Sequence, residues 1–314
     1  MIGDKKITRR DALKSLLGTA ALGLAATTLG MPSLSAASTN KKAKRTILYF
    51  TGTGNSLYIA RQLADENTEL LSIPQLMRKG QFEIEADEIG IVYPIYGHMA
   101  PNMVKRFIKQ AKLTASYKFA VLTYGNMRAN AAELWDEDSR KAGQPFDYIA
   151  TILMVDNWLP NFDMNEQIKL DKHIPENLAK IKGEIAARKA WVEPATEQDR
   201  MMHNGFVQFT GLDPEVGFLK RSEKCFVITD ACIECEVCRD LCPRGNFTID
   251  ATGVHVSGDC EFCFSCIQNC PQKAIKFAKS DDPLLAHGEV NPNARYRNEH
   301  VSLADIRLSN SQHL

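Results

Sequence analysis

The sequence predicts an α/β fold: a five-stranded parallel sheet flanked by helices, followed by a small α+β domain. Two observations predict it. Short apolar runs over residues 47–50, 89–95, 119–123 and 148–154 alternate with stretches of helical periodicity, the pattern of a parallel sheet buried on both faces. Behind them, eight of the nine cysteines fall in two short runs between Cys232 and Cys270, and none precedes Cys225. Disulfide scaffolds spread their cysteines through a domain, so this clustering reads as metal ligation. The 314 residues suit two domains plus extras, and 44% hydrophobic with 24% charged residues suits packed cores. A formal net charge of zero argues against a nucleic-acid binder.

Residues 1–37 read as a targeting segment and not as fold. Arg9-Arg10-Asp11-Ala12-Leu13-Lys14 precedes a soft apolar stretch from Leu16 to Gly30, then Ser35-Ala36-Ala37-Ser38, giving a charged region, an apolar region and a small-residue cleavage site. The stretch is too short and too rich in Ala, Gly and Thr for a membrane-spanning helix. It resembles a twin-arginine (Tat) signal, matching at Leu13 and Lys14 and departing at Asp11 and Ala12; an ordinary Sec signal or an amphipathic anchor is the alternative. The resemblance implies export of a folded protein to the periplasm or the outer face of the cytoplasmic membrane, with membrane attachment if the segment stays uncleaved. Residues 1–37 hold five of the 38 basic and two of the 38 acidic side chains, so 33 and 36 remain beyond them. That mild balance dictates no partner.

The first strand, Ile47-Leu48-Tyr49-Phe50, runs into Thr51-Gly52-Thr53-Gly54-Asn55-Ser56, after which Leu57, Ile59, Ala60 and Leu63 recur at helical spacing. Strand, hydroxyl- and glycine-rich loop, then helix is the geometry of a phosphate cradle. Glycines let the backbone approach the anion, hydroxyls donate to it, and the helix N-terminus supplies unpaired N–H groups. The loop contains no lysine and no third glycine, so it is neither the nucleoside-triphosphate loop nor the dinucleotide fingerprint. A Gly-rich turn after any parallel strand is the plainer alternative. A second strand is expected around Thr68-Glu69-Leu70-Leu71. A third, from Ile89, passes Tyr93 and Pro94 into Tyr96-Gly97-His98, with a helix from Asn102 to Gln110. A fourth, Phe119 to Thr123, ends in Tyr124-Gly125-Asn126, with a helix from 129 to 142. A fifth, Tyr148 to Met154, precedes a helix from Glu176 to Lys189. These elements delimit a domain over residues 45–190. Residues 191–222 read as a connector in which His203 is a surface or packing histidine, and residues 281–314, with His287, His300 and His313, as a polar, partly disordered tail.

Between them, over residues 223–280, Cys232-x2-Cys235-x2-Cys238-x3-Cys242-Pro243 recurs 28 residues later as Cys260-x2-Cys263-x2-Cys266-x3-Cys270-Pro271. A repeat of this kind means two copies of one unit packed about a pseudo-two-fold axis. Zinc ribbons use paired CxxC without the third cysteine at i+6, which disfavours zinc. Ile233, Val237, Phe262, Phe264 and Ile267 are placed to shield the sites. Cys225 reads as a small buried strand residue.

The loop Thr51–Ser56 resembles that of flavodoxins, which holds the FMN phosphate, and the segments at 93–97 and 123–126 occupy the places of the flavodoxin loops that hold the flavin ring. The cysteine runs resemble bacterial two-[4Fe-4S] ferredoxins. Together, over about residues 45–280, the chain resembles flavodoxin–ferredoxin fusion proteins. That resemblance implies strand order 2-1-3-4-5, FMN held by Thr51, Gly52, Thr53, Gly54, Asn55, Ser56, Tyr93, Pro94, Tyr96, Gly97, Thr123, Tyr124, Gly125 and Asn126, and two [4Fe-4S] clusters. In the ferredoxin pattern the fourth cysteine of each run serves the other cluster, which implies one set of Cys232, Cys235, Cys238 and Cys270 and another of Cys260, Cys263, Cys266 and Cys242. The implied function is a redox carrier between partner proteins that couples one- and two-electron chemistry. The alternatives are an FMN-dependent reductase of a small organic substrate, with Tyr96, His98 or Tyr124 as proton donor on position alone, and a ferredoxin with a flavin-free docking domain. No second dinucleotide motif supports direct oxidation of NADH or NADPH.

Overall fold

The computed structural model describes residues 43–215, 217, 225–278, 282, 284–285 and 288–314. The expected targeting segment and His287 lie outside the described residues. In chain order the first part comprises β1 (Ala43–Tyr49), α1 (Asn55–Leu63), β2 (Thr68–Ser72), α2 (Ile73–Lys79), β3 (Glu83–Pro94), α3 (Asn102–Ile108), β4 (Lys112–Thr114), β5 (Tyr117–Tyr124), α4 (Ala131–Lys141), β6 (Tyr148–Leu153), α5 (Met164–Gln167), α6 (Ile174–Ala186), β7 (Trp191–Val192) and α7 (Glu197–Thr210). The sheet runs β2-β1-β3-β5-β6-β7, with β4 beside β3, and each of these pairings is parallel.

The five long strands thus stand in the order 2-1-3-4-5, and two short strands extend the expected sheet. β4 has three residues and β7 two, too few to leave a periodic signal. The strands alternate their burial between two cores. Leu48, Ile91 and Leu122 face one side with Trp135, while Ile47, Val92 and Val121 face the other with Leu57 and Ile181. Gly90, inside β3, lies under the Phe119 ring, and a Cβ there would come within 2.4 Å of it. This strand therefore requires glycine at the crossing with its neighbour. Residues 191–210, expected as a connector, form β7 and α7. The α7 start is fixed by a capping box in which Thr196 and Asp199 satisfy each other's backbone N–H, a short local pattern inside a stretch of weak periodicity.

The cysteine-bearing part contains β8 (Phe226–Ile228), α8 (Val237–Leu241), β9 (Phe247–Asp250), β10 (Gly253–Val256), α9 (Ser265–Asn269) and β11 (Ile275–Phe277). Displacement by 28 residues carries α8 onto α9, and carries Glu234 and Glu236, both at positive φ, onto Phe262 and Phe264, also at positive φ. Pairing is exchanged between the copies: β8 joins β11 and β10 joins β9, both antiparallel.

The C-terminal segment overturns the expectation of a partly disordered tail. It ends in α10 (Leu303–Asn310), whose N-terminus carries a capping box between Ser302 and Asp305. Val301 and Ile306 are 2% and 0% exposed and join the core that holds Ile47 and Leu57. Arg61 grips Asp305 through both terminal nitrogens at 2.6 and 3.2 Å, and Arg307 pairs with Asp240 at 2.8 Å. Val301, Leu303 and Ile306 are the anchors, too short a run at the start of one eight-residue helix to give a sustained amphipathic stripe, so the docking is hard to read from periodicity. Among the described residues no helix is long and apolar enough to cross a membrane. Ile306→Ala is expected to lower stability by about 2–5 kcal/mol, the cost of a buried cavity, with denaturant unfolding as the measurement. A loosely attached tail would leave the midpoint unchanged.

Candidate functional site

The residues at the carboxyl ends of β1, β3, β5 and β6 line a cavity of about 200 Å³, the place where a doubly wound sheet opens a crevice at its topological switch point. Thr51, Gly52, Thr53, Asn55 and Ser56 line it from the first loop, Pro94, Tyr96, Gly97 and His98 from the second, and Thr123, Tyr124, Gly125 and Asn126 from the third. Two of the residues proposed from sequence stand elsewhere. Tyr93 is fully buried in the core, its ring 5.0 Å from that of Trp135; strand alternation turns it away from the crevice. Gly54, at φ 102°, caps α1 and packs against Val301 and Asn298.

The first loop is braced by one hydrogen bond within itself and by two to neighbouring segments. Gly54 N–H donates to Thr51 Oγ1 at 3.1 Å, Ser56 Oγ and Thr123 Oγ1 lie 2.8 Å apart, and Asn157 Nδ2 donates to Thr53 Oγ1 at 2.7 Å. Asn157 belongs to a segment to which the sequence assigns no role. Asp156, Asn157, Trp158, Asn161 and Phe162 all line the cavity. Asp156 makes the approach of two loops tight: a Cβ on Gly125 would sit 2.4 Å from its Cα. Burial raises the Asp156 carboxyl above its usual range, against the opposing hydrogen bond from Trp158 N–H.

Three candidate proton carriers differ in state. Burial holds the Tyr96 hydroxyl well above its usual range, with Cys263, Glu261 and Cys260 adding to the shift, and among the described residues no partner accepts or donates at that hydroxyl. Burial pulls His98 down to about 4, with His203 contributing, so at neutral pH it is an uncharged imidazole. Its ring packs 4.8 Å from Phe206 and 5.9 Å from His203, and it sits at φ 68°. His203 is a packing residue, also lowered by burial and then by Lys105. Tyr124 is half-buried at the cavity edge, raised by burial.

The cysteines divide into two sets of different exposure. Cys232, Cys235, Cys238 and Cys270 line one small pocket, and none of the four is fully buried. Cys242, Cys260, Cys263 and Cys266 are all buried. Burial pushes the Cys238 thiol up to about 12, and the nearby sulfurs of Cys235, Cys232 and Cys270 add to the rise. Burial likewise raises Cys266 well above the thiol range, with Cys260, Cys263 and Cys242 foremost among the sulfurs that add to it. Each neighbourhood thus includes one sulfur from the other run, Cys270 beside the first and Cys242 beside the second. Backbone N–H groups donate to sulfur in matching positions, Asn246 to Cys242 and Ala274 to Cys270, both at 3.3 Å. No disulfide joins the nine cysteines. Among the described residues no group of three or more His, Cys, Asp or Glu is arranged to hold a metal ion; the first cysteine set lines a pocket together with apolar residues such as Ile228, Ile249 and Ile275. Phe262, Phe264 and Ile267 are buried as shielding requires, whereas Ile233, expected to shield, is 59% exposed. Cys225 is buried beside β8.

The two sites share a wall. Phe262 and Phe264 line the cavity that Thr51–Ser56 line, Trp158 packs 5.2 Å from Phe264, and a Cβ on Gly52 would lie 2.2 Å from the Cys263 carbonyl oxygen. No spacing rule in the sequence links Gly52 to Cys263, so this contact could not be read from it.

No protein-family model matches this protein. It is 27% identical over 101 residues to the B subunit of the anaerobic dimethyl sulfoxide reductase of Escherichia coli (strain K12), covering 29% of its own length and 49% of that subunit. It thus spans about half the length of the curated relatives it matches. Among solved structures it is similar to a flavoprotein in complex with FMN from Lactobacillus acidophilus NCFM, at 16% identity and TM-score 0.26, over 35% of its own length and 93% of that protein. It is likewise similar to the two-electron reduced flavodoxin of Megasphaera elsdenii, at 17% identity and TM-score 0.25, over 34% and 84%. The strand order is what defines the N-terminal module. That module is flavodoxin-like.

Because His98 is neutral when buried and accepts a proton readily when unfolded, it favours the folded state above about pH 6.5, and that contribution is lost as pH falls toward 4. His98→Asn, which tolerates positive φ, should therefore lose up to about 3 kcal/mol less stability than the native protein between pH 7 and pH 4. Urea midpoints at the two pH values measure this; parallel losses would show that His98 does not carry it.

Proposed function

We propose that this protein is an electron-transfer protein that joins an FMN to two [4Fe-4S] clusters, passing electrons between redox partner proteins. The observation that carries the reading is the shared wall: the loop holding Cys260, Cys263 and Cys266 closes the cavity lined by the phosphate-type loop. A flavin seat and a thiolate seat built side by side serve electron exchange better than two separate activities.

The residues fit the groups. Thr51, Gly52, Thr53, Asn55 and Ser56, from the loop into the first turn of α1, line the cavity beside Thr123, Gly125 and Asn126, and the buried Tyr96 hydroxyl, which has no hydrogen-bond partner among the described residues, borders it. Two sets of four thiols with N–H···S bonds and apolar surroundings are the donor chemistry of ferredoxin-type clusters. Bound there, a flavin supplies one- or two-electron chemistry and the clusters one-electron chemistry. The protein's own contribution is to exclude water with Phe262, Phe264 and Trp158, and to keep a proton on Tyr96 and, by burial, favour one on Asp156. Asp156 in the cavity supports the second reading, a reductase of a small organic substrate. Under either reading the Tat-type segment would carry the folded protein out of the cytoplasm.

Anaerobic purification should yield about eight irons and eight sulfides per molecule, from two Cys₄-ligated cubanes, together with one FMN, measured by iron, sulfide and extracted-flavin assays. Iron without flavin would reduce the N-terminal module to a docking domain, and zinc in place of iron would overturn the proposal.

A further inference from the structure

The two cysteine loops share one backbone and carry opposite polarity. Displacement by 28 residues carries Ile233 onto Glu261, Glu234 onto Phe262 and Glu236 onto Phe264. In the second loop Glu261 is buried, and both phenyl rings are buried against the cavity. In the first loop the isoleucine is 59% exposed and Cys235 is exposed. Glu234 and Glu236 border the pocket that the first cysteine set lines. The proline after each run repeats the contrast: Pro243 is buried and Pro271 exposed. Residues 229–240 carry four acidic side chains, Asp230, Glu234, Glu236 and Asp240, against one basic, Arg239. Arg239 is paired with Glu236 at 2.8 Å and with Asp240 at 3.1 Å. The lysines beyond Cys270 are tied back to their own chain, Lys273 to the Asn293 carbonyl and Lys276 to the Pro292 carbonyl.

We propose that the first cysteine loop is the port at which this protein meets its redox partner, and that the partner is a basic one-electron carrier protein seated on Ile233 within a rim of Asp230, Glu234 and Glu236. The proposal rests on reading the cysteine sets as iron–sulfur seats, and it adds which of the two a partner reaches. Electron exchange between proteins needs close approach of their redox groups. The set of Cys242, Cys260, Cys263 and Cys266 is buried, and Cys263 packs into the core that holds Leu48 and Trp135, so this set offers no such approach. The first set offers an apolar centre with a charged rim, the composition of a protein interface. Rim carboxylates steer a cation-rich surface toward the port and repel an acidic one, so they set partner choice and encounter rate more than affinity. Each encounter moves one electron. The partner's centre loses it as the group held by the first set gains it, with no bond made and no proton transferred.

The test uses the full-length protein, purified anaerobically with its iron, and a basic c-type cytochrome as the probe. Carbodiimide, which joins carboxylates to lysine amines, should link the cytochrome to Asp230, Glu234 or Glu236, as located by peptide mass spectrometry. Stopped-flow mixing of the reduced protein with ferric cytochrome should give a rate that falls roughly 10-fold between about 0.01 M and about 0.3 M salt. Glu234→Gln combined with Glu236→Gln should slow the reaction roughly 5- to 10-fold at low salt, and Ile233→Ser should raise the half-saturating cytochrome concentration roughly 5-fold. Arg239 keeps Asp240 in both variants, and iron content with the absorption spectrum checks that each is loaded. Glu83→Gln combined with Glu137→Gln removes two exposed carboxylates from elsewhere and should leave the rate unchanged. A rate independent of salt, cross-links confined to other carboxylates, or native rates in the loaded variants would each overturn the proposal while leaving the iron–sulfur reading intact. If a variant fails to load iron, the salt dependence and cross-links of the native protein decide. A native protein without iron would overturn the iron–sulfur reading, and the proposal with it.

Discussion

The structure depends on the clamping of one six-residue loop. Thr51–Ser56 is held between the cysteine loop, where the Cys263 carbonyl lies against Gly52, and the C-terminal strap, where Val301 and Asn298 lie against Gly54. Both glycines are required by close approach, and Gly54 also by its φ of 102°. With the loop fixed from both sides, the flavodoxin-like sheet, the cysteine repeat and the tail become one packed body. Gln268, on α9, ties the three together: its Nε2 donates to the Asn157 carbonyl at 3.0 Å and its Oε1 accepts from Tyr296 N–H at 2.7 Å.

The repeat shows how one backbone takes two roles. Glu234 and Glu236 in the first copy share the left-handed conformation of Phe262 and Phe264 in the second. The carboxylates suit a loop whose cysteines remain partly accessible; the phenyl rings suit one whose cysteines are buried against the cavity. Asn246 and Ala274, equivalent by the 28-residue offset, each donate a backbone N–H to the fourth cysteine of their own run. The backbone symmetry therefore serves the sulfurs, and the side-chain asymmetry decides which set faces the interior. The two sets thus sit in environments that differ in exposure and in apolar cover.

Much of this is legible in the sequence. The five long strands, the helices after four of them and the grouping of the cysteines follow from apolar runs, glycine-rich turns and a repeat of constant offset, all of which are local or periodic; the helix Ile73–Lys79 after β2 is not among them. What is not legible is non-local or sparse. β4 and β7 are too short for a pattern, and Tyr93 departs from expectation because its neighbours in sequence line the cavity while strand alternation buries it. Asp156 and Asn157 enter the site through an approach between loops. The tail holds its place with polar side chains on backbone carbonyls, an arrangement without a compositional signature.

The sequence by itself determined the five long strands, the helices after four of them and the cysteine spacing, because each of these is set by interactions among near neighbours or by a period of the polypeptide. Only the tertiary structure decided that the second cysteine loop, and not the first, lies against the phosphate-type loop, and that residues 296–310 close its far side. Those contacts join positions more than 200 residues apart through a few atoms each, and packing of that kind is selected by three-dimensional fit, which no period or composition encodes.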